Sequence, residues 1–164
     1  MASKLSKKVY QFGEKRTVKL GKDVVVISDD EKNISIPLPR WISFLRQTND
    51  IEQSLQKLAA SEFVKYKQHI GGGWYVSVTT GYQCVDIRRF YMPLFGFEEK
   101  ATKEGFAIRV REWSAFGDAV RQLHASNPQL SKIQPCYEGT DHQNQESAFQ
   151  CRECYPFPDA SKLQ

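Results

Sequence analysis

Trp74-Tyr75-Val76-Ser77-Val78, Cys84-Val85-Asp86-Ile87-Arg88-Arg89-Phe90-Tyr91-Met92 and Phe106-Ala107-Ile108-Arg109-Val110-Arg111-Glu112-Trp113 decide the fold of this 164-residue chain. Val76 and Val78 alternate with Tyr75 and Ser77, Val85 and Ile87 with Asp86 and Arg88, and Ile108 and Val110 with Ala107 and Arg109. Side chains on a strand point alternately to its two faces, so three alternating segments in a row predict an antiparallel meander with one buried face. The opposite face then carries Tyr75, Ser77, Asp86, Arg88 and Arg109. Aromatics mixed with arginine on an exposed sheet suit stacking of unpaired bases plus phosphate contacts. An ordinary solvated sheet face has the same alternation.

Upstream, residues 9–36 read as further short strands. Val9–Phe12 comes first, and Arg16–Leu20 is closed by a turn at Gly21-Lys22-Asp23. The β-branched run Val24–Ile27 reads as a strand buried on both faces or at an interface, and Ile34–Ile36 ends the series. Residues 39–58 read as a helix entered at Pro39, with Trp41, Leu45, Thr48, Ile51, Leu55 and Leu58 on one stripe. Phe63–Tyr66 resembles a strand, and Gly71-Gly72-Gly73 reads as a flexible turn. After the meander, with its polar loop from Pro93 to Gly105, a helix runs from about Arg111 to His124 and stops before Asn127-Pro128. Strands followed by Trp and a helix therefore occur twice, with Arg40-Trp41 against Glu112-Trp113 and Phe44 against Phe116. The divisions are a basic flexible leader at 1–8, a first sheet-helix repeat at 9–60, a second at 61–127 and a polar tail at 128–164.

Composition bounds the class. Hydrophobic content of 40% and charged content of 26% fit a soluble globular chain, and no apolar run nears the roughly 20 residues of a membrane span. The beginning lacks the apolar core of a secretory signal. The net charge of +4 identifies no partner, but its distribution is informative. Residues 1–22 hold seven Lys or Arg against Glu14, whereas residues 136–164 hold five acidic residues against Arg152 and Lys162. A basic start suits a polyanion partner. His69, His124 and His142 share no motif with a nucleophile, and neither a nucleophile elbow nor a phosphate loop occurs, so the chain is expected not to be an enzyme. His69 and His124 read as surface or helix-end residues.

The tail contains Cys136, His142, Cys151 and Cys154, the last two in a CxxC knuckle. These four ligands suit a closed structural zinc site. Their outer spacings are not those of standard fingers, and thiols in an unstructured tail are the alternative. Cys84, in a strand, reads as a small buried hydrophobe.

The ordered series Tyr75-Val76-Ser77-Val78, Asp86-Ile87-Arg88, Phe90-Tyr91-Met92-Pro93, Lys103, Gly105, Ile108 and Trp113 resembles the single-stranded-DNA-binding domain of the transcriptional positive cofactor four family. Trp41, Asp50-Ile51, Leu55, Lys57 and Leu58 resemble that family's helix, so two tandem copies cover roughly residues 9–125. The resemblance implies an α+β fold in which each copy is a curved antiparallel sheet followed by a helix, and in which two copies pair. It implies a non-catalytic, nuclear transcriptional coactivator that holds unpaired DNA and contacts transcription machinery proteins. Arg88 and Tyr91 match the family's Arg and stacking aromatic, and Lys100 and Lys103 its basic loop. Lys15, Arg16 and Lys22 surround the first hairpin. The hairpin after Val78 lacks the family's lysines, and Tyr82 is the substitute stacking group there. With Lys19, Trp74, Tyr75, Arg89 and Arg109 these make up the candidate nucleic-acid surface. The acidic pair Asp29-Asp30 marks the first copy as the weaker binder. The linker Ala59–Lys65 spans about 20 Å when extended, and an internal pseudo-dimer is favoured over a homodimer because tethering raises effective concentration. The alternative function is a protein-interaction scaffold that uses the duplicated fold and the acidic Cys-containing tail.

Overall fold

The structure, a computed structural model, describes residues 8–96, 98–138, 151, 153 and 154. The candidate ligand His142 lies outside the described residues. The elements are β1 (Val9–Gly13), β2 (Arg16–Leu20), β3 (Val24–Ser28), β4 (Asn33–Pro37), α1 (Leu38–Leu45), α2 (Thr48–Ala59), β5 (Lys65–Gly71), β6 (Trp74–Thr79), β7 (Cys84–Tyr91), β8 (Lys100–Arg109) and α3 (Trp113–Ser126). They form two four-stranded antiparallel sheets, each a meander in chain order. The expected α+β architecture of two sheet-helix units is therefore present, with the cysteine-containing region beyond the second.

The two sheets repeat in register as well as in order. In the first, Gln11 faces Thr17 and, after a bulge, Gly13 faces Arg16. In the second, His69 faces Tyr75 and, after a bulge, Gly71 faces Trp74. Arg16 and Trp74 thus hold equivalent places, as do Thr17 and Tyr75.

Period two sets the core. Val18, Val25, Ile27, Val76, Val78, Val85, Ile87, Phe106 and Ile108 are fully buried, and all belong to one cluster with Trp41, Ile51, Phe116 and Leu123. Each such aliphatic side chain contributes roughly 1.5–3 kcal/mol by leaving water. The helices do not stay with their own sheets. α3 of the second unit lies on β1 and β2 of the first, while α1 reaches β5 and α2 reaches β6. Phe12 of β1 meets Phe116 of α3 edge-on at 5.1 Å. Trp41 of α1 meets the same ring at 6.3 Å. The units pair within the chain because neither sheet is covered by its own helix alone.

The expected single helix over 39–58 is two. Gln47 N–H turns back to the Phe44 carbonyl, and the Thr48 hydroxyl donates to the Leu45 carbonyl at 2.7 Å. A side chain competing for a helical carbonyl in this way ends one helix and starts the next. The apolar stripe survives the break, with Trp41, Ile51 and Leu55 buried. Val24–Ile27 is not buried on both faces, since Val25 and Ile27 point inward and Val24 and Val26 are only half-buried. β5 runs later than Phe63–Tyr66, and β8 takes up the end of the expected loop from Lys100.

Candidate nucleic-acid interface and cysteine cluster

The outer face of the second sheet is laid out by its register. One row runs His69, Tyr75, Arg88 and Gly105, and the next runs Lys67, Ser77, Asp86 and Ala107, with Arg109 opposite Cys84 beyond it. Tyr75 and Phe90 meet edge-on at 5.2 Å, and His69 lies 5.1 Å from Tyr75. The Lys67 ammonium sits 4.5 Å from the Tyr75 ring and 3.9 Å from Phe90, and also pairs with Glu99. Cations over aromatic faces contribute about 0.5–2 kcal/mol. Burial, and then Lys65, pull the Lys67 pKa below the ordinary lysine value, and burial raises that of Tyr75.

Arg88 lies across the sheet. Its Nε and Nη2 donate to Asp86 at 3.0 and 3.1 Å, and its Nη1 donates to the Thr102 carbonyl at 2.9 Å. Residue 105 is glycine because a Cβ there would strike the Arg88 guanidinium and the Ile87 carbonyl. Arg88, Asp86, Phe90, Tyr82, Ser77 and Ala107 line a groove of about 400 Å³, a space on the scale of ligand sites.

Of the expected surface, Tyr82 and Arg88 line this groove, and Tyr75 lies next to it, opposite Arg88 and against Phe90. Arg109 is exposed on the same face, and Lys100 and Lys103 are exposed along β8. Tyr91, 49% exposed, sits at the end of β7 opposite Lys100. Phe90, not Tyr91, joins the aromatic cluster. Arg89 alternates away from Arg88 and pairs with Glu104 at 3.4 Å. Lys19 and Lys22 are exposed on the first unit, Lys19 on the outer face of its sheet opposite Val9 and Val26.

Trp74 and Arg16 require correction. Trp74 shares the inward parity of Val76 and Val78 and packs against the core. Arg16 is 9% exposed. Its Nε lies 3.2 Å from Glu112, its Nη1 3.6 Å from Asp29, and its Nη2 donates to the Ala107 carbonyl. Its guanidinium sits 4.4 Å from the Phe106 ring. Arg16 therefore ties the first unit to the second. Lys15 pairs with Asp30 at 3.5 Å. Asp29 accepts from the amides of Lys32 and Glu31, which with Arg16 hold its carboxyl below the ordinary value. The acidic pair and the hairpin cations thus largely satisfy one another.

Lys67, His69 and Phe90 were missed as site residues. The signal for Lys67 and His69 was period two: Lys65, Lys67 and His69 alternate with Tyr66, Gln68 and Ile70, but Ile70 is the only β-branched residue of β5, a composition that marks strands weakly. His124 lies in the last turn of α3, at a helix end as expected, and His69 lies in β5; both are half-buried. His69 Nε2 accepts from the Gly73 amide at 3.1 Å, and burial pushes its pKa down to about 4.

The described thiols of the tail converge. The sulfurs of Cys136, Cys151 and Cys154 lie within 4.8 Å of one another, with Cys136 at 3.2 Å from Cys154 and 3.9 Å from Cys151. Zinc–thiolate bonds of about 2.3 Å at tetrahedral angles put sulfurs about 3.8 Å apart, so three corners of such a site are in place. None of the three is joined in a disulfide among the described residues. Burial, then hydrogen bonds from the other two thiols, pushes Cys154 up to about 12; a bound cation reverses this by favouring thiolates. Cys84 is half-buried, with burial raising its pKa.

No protein family, curated protein or solved structure matches this chain.

Proposed function

We propose that the protein binds single-stranded DNA or other unpaired nucleic acid on the outer face of the second sheet, as a non-catalytic nuclear coactivator that also contacts transcription machinery. The observation that carries this reading is the single surface formed by Lys67, Tyr75, Phe90, Arg88 and Tyr82 around the groove. Aromatic rings there offer stacking of about 1–3 kcal/mol per base, and the cations offer phosphate contacts, so binding is sequence-tolerant and salt-sensitive. The duplicated sheet-helix unit and its internal pairing accord with the resemblance to the positive cofactor four family. The first unit serves mainly as the structural partner, since its hairpin cations face Asp29, Asp30 and Glu112.

Cys136, Cys151 and Cys154 would hold a structural zinc ion, with His142 as the fourth ligand. Zinc would supply cross-linking of the tail and no reactive position.

The test is fluorescence anisotropy of a labelled strand of about 20 nucleotides, longer than a typical single-fold site, at two salt concentrations with duplex and RNA competitors. Tight, salt-weakened binding that resists duplex supports the reading, and absence of binding at low salt overturns it. A second reading, a protein-interaction scaffold, is favoured by the apolar tip between β7 and β8, where Leu94 is 71% and Phe95 96% exposed.

A further inference from the structure

The cysteine turn is not an appendage. Glu153, between Cys151 and Cys154, reaches α1, where Arg40 Nε donates to its two oxygens at 2.6 and 3.0 Å and Arg40 Nη2 donates at 2.8 Å. The Glu153 backbone carbonyl accepts from the Gly72 amide at 3.1 Å. The pair clamps the β5–β6 turn, in which Gly71, Gly72 and Gly73 all have positive φ (128°, 59° and 85°). A Cβ at Gly71 or Gly72 would run into Arg40, and at Gly72 also into Glu153. The glycine run is thus a fitted seat for this ion pair.

Gly73 carries the seat into the aromatic cluster. Its amide donates to His69 Nε2 at 3.1 Å, and its carbonyl accepts from the Phe90 amide at 2.8 Å. His69 and Phe90 each pack against the Tyr75 ring. A continuous set of contacts therefore runs from the thiols through Glu153, Arg40 and the glycine turn to His69 and Phe90 beside the central stacking ring.

We infer that the three-thiol cluster is a metal-dependent latch for the nucleic-acid face: a soft divalent cation such as zinc fixes Glu153 on Arg40 and the glycine turn, and so holds His69, Tyr75 and Phe90 in their binding arrangement. Arg40 and Glu153 are positioning residues, acting through the turn. The inference rests on the proposed binding reading for its function, but the latch has its own readout.

Charge makes the test one of sign. Removing Glu153, or stripping a dication from three thiolates and letting the thiols protonate, leaves the protein no more negative, so charge alone predicts equal or tighter binding to a polyanion. The latch predicts weaker binding. The full chain loaded with zinc, the same chain after chelation, and Glu153→Ala loaded with zinc are titrated into the labelled strand, with zinc content measured on each. Hydrogen exchange at the Gly72 and Gly73 amides is followed in parallel.

The expected result is one zinc per chain in wild type and in Glu153→Ala. Dissociation constants should rise about five- to tenfold in both the chelated protein and the variant, the scale of part of one stacking contact. Exchange at the two glycines should quicken about tenfold, as for a local opening made easier. Failure to bind zinc, unchanged or tighter DNA binding in Glu153→Ala, or unchanged glycine exchange on chelation each overturns the latch. If the loaded wild type binds no strand while glycine exchange still follows zinc, the latch stands and the binding reading fails.

Discussion

Trp41 Nε1 donates to His124 Nε2 at 3.0 Å, joining α1 of the first unit to α3 of the second across 83 residues of chain. The rings are stacked at 6.3 Å; an accepting Nε2 carries no proton, and burial lowers the His124 pKa in the same sense. Trp41→Phe keeps an aromatic ring but orphans this acceptor, and is expected to cost about 2 kcal/mol in urea denaturation. Adding His124→Leu should recover much of that loss, because replacing both partners by apolar groups can be nearly neutral. A double variant as unstable as the sum of the singles would show that the bond is not what couples them.

Arg16 and Glu112 form the second cross-unit tie, at 11% and 8% side-chain exposure. Arg16→Met leaves the Glu112 carboxylate buried without its cation, a class of change that costs about 3–5 kcal/mol. Arg16→Met with Glu112→Leu should regain most of the stability. The unfolding midpoints check this, and a fully folded Arg16→Met with weakened strand binding would return Arg16 to the nucleic-acid surface.

Neighbouring residues of β6 should separate binding from folding. Tyr75→Ala removes the central ring of the outer face and is expected to weaken strand binding by roughly five- to 150-fold, equivalent to about 1–3 kcal/mol. Its unfolding midpoint should fall little. Trp74→Ala should lower the midpoint markedly, with a loss of about 3 kcal/mol in unfolding free energy, as for other large-to-small changes against a core. Phe90→Ala should weaken binding more than Tyr91→Ala; the reverse order would favour the resemblance-based assignment of Tyr91.

Stability should carry a histidine signature. The His69 pKa of about 4 in the folded chain lies below its ordinary value of 6.5, burial being the first cause, with Glu153 opposing and Arg40 adding. The unfolded chain therefore takes up this proton first. The contribution is complete above about pH 6.5, declines as the pH falls from 6.5 toward 4, and changes no further below that. His69→Gln, which can still accept from Gly73, lacks this titration. The wild-type midpoint minus that of the variant should fall across this window as the pH is lowered, and a flat difference would show that burial does not hold the His69 pKa down.

Alternation made the sheets legible, because Val76, Val78 and Ile87 stand between polar or amphipathic neighbours and Val85 and Ile108 are each followed by a charged residue. It also contains the answer for Trp74, whose parity with Val76 is plain in the sequence, although an indole suits an exposed stacking face as well as a core. Arg16 stands at the equivalent place of the first repeat, where its charge argues against an inward position. A charged residue on an inward position is legible only when its partners are known, and Asp29 and Glu112 lie 13 and 96 residues away. The helix break at Gln47 left no trace because the apolar stripe continues through it. The convergence of Cys136 with Cys151 and Cys154 followed from ligand chemistry, whereas the seating of Glu153 on Arg40 depends on tertiary distance that no spacing encodes.

The placement of α3 on β1 also orders events during synthesis. The first sheet is finished at Pro37, yet Phe12 waits for Phe116 and the Tyr10 hydroxyl for Ser126. A ribosome that has released only the first unit presents a sheet with part of its apolar face still wet, and contacts this distant in sequence close slowly. The nascent chain must keep that face from other chains until the last helix emerges, so a truncation just short of α3 would yield aggregation, and no smaller folded half.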